Sequence, residues 1–558
     1  MDLSGKKKID DQLGRFRREA EERAAQRKAK EEKIPYFNLA GASINLDALK
    51  LISEEKARAA KVAIVDSKRK ELAIVVHDPK NAKTQELVDE LKGKGFTLSF
   101  FISSVTGLEK AWERYQEIKA APDKGALGEV DVGGTEAFKK IGFEELTPKL
   151  KEIEDRTGGS STSDLLDFIL GSAIGLGISD IHFETEKEDT LLRFRLDGIL
   201  YDVYKLQKKT YSSVLNRLKL LSGLKINVAD AAQDGRFSTK FGETYIEIRT
   251  SVIPSEYGET VVMRVLDPKT ISLNLPDLGL RPDDQELINF ELKKPNGTIL
   301  VTGPTGSGKT TTLYAFLKAV RSPEVKTITI EDPIEYHLDG VSQTQVDPLS
   351  GYTFAAGLRS ILRQDPDIIL VGEIRDLETA EIGMHAALTG HLVFSTLHTN
   401  DAIGAIPRLI DLGAKASIIG PALNLIIAQR LIRKLCEFCK IETTASGEVL
   451  SKLKNFVSGL PDKTKKLYDG KPIKLFEAKG CEKCRGGFKG RLGVYEFLKC
   501  DDELESLITS EATEESIRRV AKKQGMVEMQ GDGVLKVIAG VTTFQEVERV
   551  TGPIEWLS

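Results

Sequence analysis

The feature that most constrains this chain is a glycine-rich segment between a strand-like stretch and a helix-like one. Residues 298–302 have the pattern of a buried strand, and residues 311–317 that of the first turns of a helix. Backbone N–H groups of such a loop bind phosphate, and the helix N-terminus adds positive potential. The predicted phosphate-binding loop consists of Gly303, Pro304, Thr305, Gly306, Ser307, Gly308, Lys309, Thr310 and Thr311.

Two residues at the end of this loop indicate which phosphates it binds. Lys309 is placed to reach the β- and γ-phosphates of a nucleotide, and the hydroxyl of Thr310 is placed to ligate Mg²⁺. The sequence therefore predicts a site for a nucleoside triphosphate and Mg²⁺.

The rest of the chain predicts a multidomain α/β protein. With 558 residues it is too long for one hydrophobic core, and about three or four domains are expected. Strand and helix patterns alternate after the loop in the manner of a parallel sheet. The predicted segments are 1–33, a charged helix or disordered stretch; 34–121, a small α/β domain; 122–163, a linker; 164–268, an α+β domain; and 269–558, the P-loop domain.

Charge and hydropathy exclude some classes of function. Lys and Arg total 80 against 84 for Asp and Glu, so the net charge of −4 predicts no general attraction to nucleic acid or acidic lipid. The longest apolar runs, such as 166–178, fall short of the roughly 18 residues that a membrane helix needs. No signal-peptide pattern follows Met1. We expect a soluble cytoplasmic protein.

Carboxylates follow two of the predicted strands of the P-loop domain. Glu331, Asp332 and Glu335 come directly after the strand at 327–330, and like charges so close together favour a cation nearby. Glu373 ends the hydrophobic stretch that begins at Asp367, as a Walker B carboxylate does. Glu373 is therefore expected beside Mg²⁺ or the attacking water. Either Glu373 or Glu331 is a candidate for the general base, and an acidic surface turn is the alternative for 331–335.

Basic residues lie between and after these carboxylates. Arg359 and Arg363 are four residues apart, on one helical face, where they either neutralise phosphate or remain on the surface. His391 and His398 flank the strand-like stretch 392–397. A histidine near a γ-phosphate can report its presence, and a purely structural role is the alternative.

Four of the five cysteines form two short chelating pairs. Cys436 and Cys439 are one pair, and Cys481 and Cys484 are the other. This pattern suits a closed, tetrahedral Zn²⁺ site of structural type. Bound metal would stiffen an excursion of the P-loop domain, predicted at 430–500, that is too small to bury a core of its own.

The ordered set of motifs resembles the secretion ATPase superfamily, the motors of type II secretion and type IV pili. Residues 303–312 resemble its Walker A motif, 330–336 its Asp box, 359–376 its Walker B region and 389–401 its His box. The resemblance extends from about residue 34 to 552. It implies a RecA-like ATPase domain, a PAS-like domain at 164–268 and an N-terminal docking domain.

The resemblance also implies an activity and partners. Members hydrolyse ATP as hexameric rings and act on an inner-membrane platform protein, bound peripherally at the cytoplasmic face through a cytoplasmic adaptor of the membrane complex. Stable binding of nucleic acid is not expected. Arg249 and Arg264 match family positions that reach the nucleotide phosphates when the second domain closes over the site.

The tetracysteine element indicates the branch of the superfamily. Pilus-extension and type II secretion ATPases typically carry it, whereas retraction motors generally lack it. An assembly ATPase is therefore expected for this chain. The alternatives are a pilus-retraction or DNA-transport ring, and a nucleotide-binding scaffold without hydrolysis.

Overall fold

The computed structural model describes most of the chain, in two compact units divided between Leu127 and Gly128. No helix among the described residues is both long enough and apolar enough to span a membrane. The described residues are 20–39, 46–49, 51–68, 71–93, 96–120, 129–131, 138, 141–156, 161–268 and 273–557.

The first unit is built on a sheet of three strands in the order β1-β2-β3, with the second pair parallel and the first antiparallel. Its core consists of apolar residues from both sides of the sheet, with Trp112 and Tyr115 donating to backbone carbonyls. The strands are β1 (Val62–Lys68), β2 (Glu71–Val76) and β3 (Thr97–Ile102), and the helices α1 (Leu46–Leu49), α2 (Glu54–Ala60), α3 (Ala82–Gly93) and α4 (Val105–Ala120).

The charged N-terminal segment is partly a docked helix. Residues 1–19 lie outside the described residues, and residues 20–32 are helical. Ala25 and Ala29 are buried, and Ala29 belongs to the core of the unit, although 1–33 was predicted only as a charged helix or disordered stretch. Two alanines four residues apart make a narrow apolar stripe that a charge-rich composition conceals.

The second unit begins with a mixed sheet in the order β4-β8-β9-β10-β5-β6-β7, in which β4 and β8 are parallel and all other pairs antiparallel. Alternate residues are buried against helices on one face. The strands are β4 (Glu129–Asp131), β5 (Asp180–Thr185), β6 (Asp189–Leu196), β7 (Ile199–Gln207), β8 (Gln233–Phe241), β9 (Thr244–Ser255) and β10 (Gly258–Leu266), and the helices α5 (Leu146–Glu154), α6 (Ser161–Leu176) and α7 (Lys208–Leu221).

Part of the predicted linker belongs to this fold. Within 122–163, α5 buries Leu146 and Leu150 in the core of the sheet, and β4 pairs with β8. Leucines at i and i+4 place an apolar stripe on one helix face, so the segment packs despite its glycine-rich surroundings.

The phosphate-binding loop lies in a second large sheet, of order β13-β12-β14-β15-β11-β16-β19, with apolar clusters on both faces. All its pairs are parallel except β16 with β19. The strands are β11 (Gly297–Thr302), β12 (Thr327–Glu331), β13 (Ser342–Gln345), β14 (Ile368–Val371), β15 (Leu392–Leu397), β16 (Leu423–Leu435) and β19 (Phe488–Lys499).

A two-stranded sheet, β17 with β18, and the remaining helices complete the unit. The strands are β17 (Ile441–Thr443) and β18 (Leu475–Glu477), and the helices are α8 (Pro282–Glu291), α9 (Lys309–Val320), α10 (Phe354–Ile361), α11 (Leu377–Leu388), α12 (Ala405–Asp411), α13 (Ala416–Ala422), α14 (Gly447–Ser458), α15 (Asp462–Tyr468), α16 (Asp502–Glu511), α17 (Glu514–Lys523), α18 (Met529–Ile538) and α19 (Phe544–Thr551).

Candidate nucleotide-binding site

A cleft of about 940 Å³ opens at the carboxyl edge of the parallel sheet. Because β11, β12, β14 and β15 run in one direction, the segments that follow them meet at this edge. The mixed sheet of the same unit closes the opposite wall. The lining includes residues 304–311 of the phosphate-binding loop together with Asp180, Arg195, Arg264, Glu331, Glu373, His398 and Arg430.

The phosphate-binding loop needs its glycines. Gly303 has φ of +149°, and a Cβ there would lie 2.5 Å from the carbonyl oxygen of Gln429 on the neighbouring strand. Gly308 has φ of +89° and precedes the first turn of α9. Residues with side chains adopt these conformations only under strain. The loop therefore holds its backbone groups at the N-terminus of α9.

Lys309 lies inside this loop and is half-buried. Its Nζ donates to the carbonyl oxygens of Gly303, at 2.8 Å, and Pro304, at 3.1 Å. Burial lowers the pKa of Lys309 to about 8, with a further contribution from Arg430 and against the attraction of Glu373. Thr310 and Thr311 line the cleft beside it.

Glu373 follows β14 and points toward cations in the cleft. Its Oε1 lies 2.5 Å from Nη2 of Arg375, and its Oε2 lies 3.5 Å from Nε2 of His398. Arg375 also lies 3.5 Å from Asp332, so it bridges the two predicted acidic segments. Burial, followed by the charge of Lys309, lowers the pKa of His398.

Glu331, at the end of β12, is held by three side-chain donors. Oε1 accepts from Thr329 at 2.6 Å and from Gln343 at 3.1 Å, and Oε2 accepts from Tyr314 at 2.5 Å. Burial and the neighbouring Glu331 carboxylate raise the pKa of Tyr314. Glu331 is only 3% exposed. The two carboxylates that the sequence left as alternatives thus have different surroundings.

Arg264 reaches the cleft from the mixed sheet. It lies on β10, and its Nε is 3.0 Å from Oδ1 of Asp180 on β5. Arg195 on β6 lies 3.5 Å from Oδ2 of the same carboxylate. More than half of the Arg264 side chain is exposed, so the guanidinium retains donors for a ligand.

Arg249, on β9, contacts the acidic segment after β12. Its Nη1 lies 2.8 Å from Oε2 of Glu335, and its Nη2 donates to the carbonyl oxygen of Ile334 at 2.9 Å. Arg249 does not line the cleft. It joins the mixed sheet to the parallel sheet beside the predicted catalytic residues.

Besides Arg249, three more of the predicted residues lie outside the cleft. Arg359 pairs with Glu378 at 2.5 Å, and Arg363 donates to the carbonyl oxygen of Arg359 and to Ser360. His391 precedes β15 and contacts the carbonyl oxygen of Ala386 through Nδ1. It therefore lies at the edge opposite His398, about 20 Å away for a strand of this length.

The structure also brings in residues that the sequence did not single out. Arg375 follows Glu373 by two positions, and a basic residue so near a Walker B carboxylate was a usable signal. Asp180 and Arg195 carried no such signal, because their pairing depends on strand register. Arg430, on β16, has a buried Nη1 without a hydrogen-bond partner, while its Nη2 donates to Asn400.

The four paired cysteines converge at one place. Their Sγ atoms all lie within 4.8 Å of one another. The pairs Cys436–Cys481, Cys439–Cys484 and Cys481–Cys484 are 3.9, 3.6 and 3.7 Å apart. Four sulfurs around Zn²⁺ at about 2.3 Å have edges of about 3.8 Å, so the donor set fits this metal. Cys500 is half-buried, and burial raises the pKa of its thiol.

Comparison with known proteins identifies the family of the chain. The family model described as type II/IV secretion system protein matches residues 155–549. The chain belongs to this family. It is an ATPase, like the relatives that it resembles over most of its length.

Two of those relatives represent both branches. The chain is 44% identical over 422 residues to the type II secretion system ATPase E of Vibrio cholerae, covering 75% of this chain and 81% of the relative. It is 37% identical over 530 residues to the type IV pilus assembly ATPase PilB of Myxococcus xanthus, covering 94% and 90%. The ATPase DotB of Legionella pneumophila shares the fold over 71% of this chain and 98% of its own, with a TM-score of 0.51 and 21% identity.

Proposed function

We propose that the chain is an ATP-hydrolysing hexameric motor that drives assembly of type IV pili or of a type II secretion pseudopilus. The observation that carries the proposal is the convergence of Lys309, Glu373 and Arg264 on one cleft, with the arginine supplied by a different sheet. Such an arrangement lets movement of one domain control hydrolysis in another. The match to a pilus assembly ATPase over 94% of the chain supports assembly over retraction.

Within the cleft, the loop 303–311 binds the phosphates and Lys309 contacts the β- and γ-phosphates. Thr310 and Glu373 would hold Mg²⁺, which would supply positive charge to neutralise the phosphates. Glu373 also orients the attacking water. Glu331 positions its neighbours, because its oxygens already accept from Tyr314 and two other side chains.

The domain at 164–268, predicted to be PAS-like, acts as the lid of the site. Arg264 donates to transition-state charge once the lid is closed, and Asp180 orients it. Arg249 completes closure through Glu335 and the segment after β12. An arginine of this kind contributes roughly 10³ to 10⁵ in rate in other P-loop enzymes, so its placement controls turnover.

The tetracysteine cluster binds Zn²⁺ as a structural metal. Cys436, Cys439, Cys481 and Cys484 would hold it, and its chemistry is to staple the excursion between β16 and β19.

The motor works at the cytoplasmic face of the inner membrane, peripherally, through partners. A cytoplasmic adaptor of the membrane complex binds the N-terminal unit, and an inner-membrane platform protein receives the movement. Stable nucleic-acid binding is not part of this function, consistent with the net charge of −4.

A deletion strain tests the function. We expect it to lose surface pili or secreted proteins, to be restored by the wild-type gene, and not to be restored by Lys309→Ala. The purified chain should sediment as a hexamer and hydrolyse ATP, whereas the Lys309→Ala protein should not. Intact assembly with defective retraction in the deletion strain would contradict an assembly motor.

A further inference from the structure

The loop that begins at the last cysteine of the cluster contacts the mixed sheet. Arg485 directly follows Cys484, and its guanidinium carbon lies 4.6 Å from the ring centroid of Phe143 and 5.5 Å from that of Tyr201. It also forms an ion pair with Glu144. A guanidinium over aromatic rings with a carboxylate at its edge is a specific contact, since a lysine reproduces only its charge.

The same loop makes a second contact five residues later. The N–H of Gly490 donates to Oδ2 of Asp197 at 2.8 Å. Asp197 and Gly198 form the turn between β6 and β7, with φ of 50° and 86°. A positive φ at both positions is typical of a two-residue hairpin turn, whose backbone twist matches that of the flanking strands. The hairpin is therefore held at its turn and at Tyr201 on β7.

The cysteine cluster shapes this loop. The N–H of Cys436 donates to the carbonyl oxygen of Gly487 at 2.8 Å, and Arg485 and Phe488 exchange backbone hydrogen bonds. Arg433, on β16 just before the first cysteine pair, stacks over the Phe488 ring at 4.1 Å. Segments from both cysteine pairs thus fix residues 485–490.

The hairpin is connected directly to the nucleotide cleft. Asp197, Gly198 and Arg491 all line it together with the phosphate-binding loop. Arg195, two residues before the turn, shares the Asp180 carboxylate with Arg264. Displacement of the hairpin would move this arginine pair with it, because β6, β5 and β10 are neighbours in one sheet.

We propose that residues 485–490 form a latch that holds the β6–β7 hairpin, and with it Arg264, at the nucleotide cleft. Arg485 is its positioning residue, and the cysteine cluster keeps the latch in shape. The consequence for turnover rests on the proposed function of Arg264. The latch itself requires only the contact between residues 485–490 and the domain of the mixed sheet.

Hydrogen exchange on the full-length, zinc-loaded protein tests the latch from both sides. Arg485→Ala removes the stacked guanidinium, and Asp197→Gly removes the carboxylate while allowing the left-handed turn. We expect exchange in 199–207 to become about fivefold to tenfold faster in each variant, the scale of a lost cation–π and charge-assisted contact. Zinc content should equal that of the wild type.

Two matched variants serve as controls. Lys483→Ala removes a cation on the other side of Cys484. The Nζ of Lys483 lies over the ring of Phe438, within the cysteine-bearing excursion. Asp197→Asn keeps both an acceptor oxygen and a residue type that tolerates the left-handed region. Both should exchange as the wild type does. Unchanged exchange in Arg485→Ala at full zinc content, or equal loosening in Lys483→Ala, would overturn the latch.

Steady-state kinetics separates the latch from the role of Arg264. We expect Arg485→Ala to lower kcat several-fold with KM for ATP nearly unchanged, because the phosphate-binding loop is untouched. Partial rescue of exchange by Arg485→Lys supports a cation at this position. If the hairpin loosens while both Arg485→Ala and Arg264→Ala keep full turnover, the latch stands and the proposed role of Arg264 fails.

Discussion

Arg264 and Asp180 face each other on adjacent antiparallel strands, with Nε 3.0 Å from Oδ1, at the wall of the nucleotide cleft. The carboxylate is almost fully buried, whereas the arginine is mostly exposed. One residue thus anchors the other and leaves its remaining donors facing the phosphate-binding loop. Through this pair, the mixed sheet contributes an arginine to the cleft that holds the phosphate-binding loop of the parallel sheet.

Replacing this arginine should separate binding from turnover. We expect Arg264→Ala to bind ATP with near-normal affinity and to lose about 10³-fold or more in kcat, as for arginines that stabilise transition-state charge. Steady-state assays with equilibrium binding measure both quantities. Asp180→Asn, which retains one acceptor, should give a smaller loss, and near-normal turnover of the purified Arg264→Ala protein would exclude the role.

The two candidate carboxylates should respond differently to isosteric replacement. Glu373→Gln should abolish hydrolysis but retain nucleotide binding and thermal stability. Glu331→Gln places an amide donor against hydroxyl and amide donors, so it should destabilise the fold by about 1–3 kcal/mol. Urea unfolding and single-turnover hydrolysis measure the two effects. The reverse pattern would assign the water-activating role to Glu331.

Nucleotide affinity should depend on pH through Lys309. Its pKa is lowered to about 8 in the free site, and bound phosphate favours the charged form. Binding therefore takes up a proton above pH 8, and affinity falls as pH rises from there. Calorimetry in buffers of different ionisation enthalpy measures this uptake. A Lys309→Arg variant, which stays charged, should lose the pH dependence even if its affinity is lower, and proton release on binding by the wild type would refute this linkage.

Removal of one cysteine should release the metal. Cys439→Ser is expected to reduce zinc content to near zero and to lower the melting temperature, since metal-binding energy contributes to folding of the excursion. Metal analysis and calorimetry test both. Cys500→Ser changes the cysteine outside the cluster and should retain zinc. Wild-type protein purified without chelators and lacking zinc would contradict the assignment.

A buried ionic network provides a stability test away from the cleft. The carboxylate of Asp532 accepts from Arg281 at 2.7 Å and pairs with Lys536, and all three side chains are nearly inaccessible. Asp532→Ala leaves two buried cations without this partner and should cost about 3–5 kcal/mol. Lys523→Ala breaks an exposed pair with Glu503 and should cost within about 1 kcal/mol in the same denaturation experiment. Equal costs would show that the network does not hold the fold.

Local sequence determined the features that depend on neighbouring residues. The strands of the first unit follow their apolar runs, and the phosphate-binding loop lies between β11 and α9 as its glycines and flanking pattern require. The two cysteine pairs predicted a metal site because chelation by closely spaced thiols is encoded locally. The periodicity of 1–33 and 122–163 was weaker, and the packing of Ala29 and Leu150 there was missed.

Only the tertiary structure decided which distant residues share a site. Sequence predicted that His391 and His398 flank one strand, but only the fold shows that the end of this strand carrying His398 is the end that faces the cleft. It named Arg264, but the register of three strands sets its pairing with Asp180 and Arg195. Chain spacing fixes loops and chelating pairs, whereas register and packing of sheets fix which charges meet. Local sequence is thus enough to predict the phosphate-binding loop, whereas the positions of the arginines that face it depend on the tertiary structure.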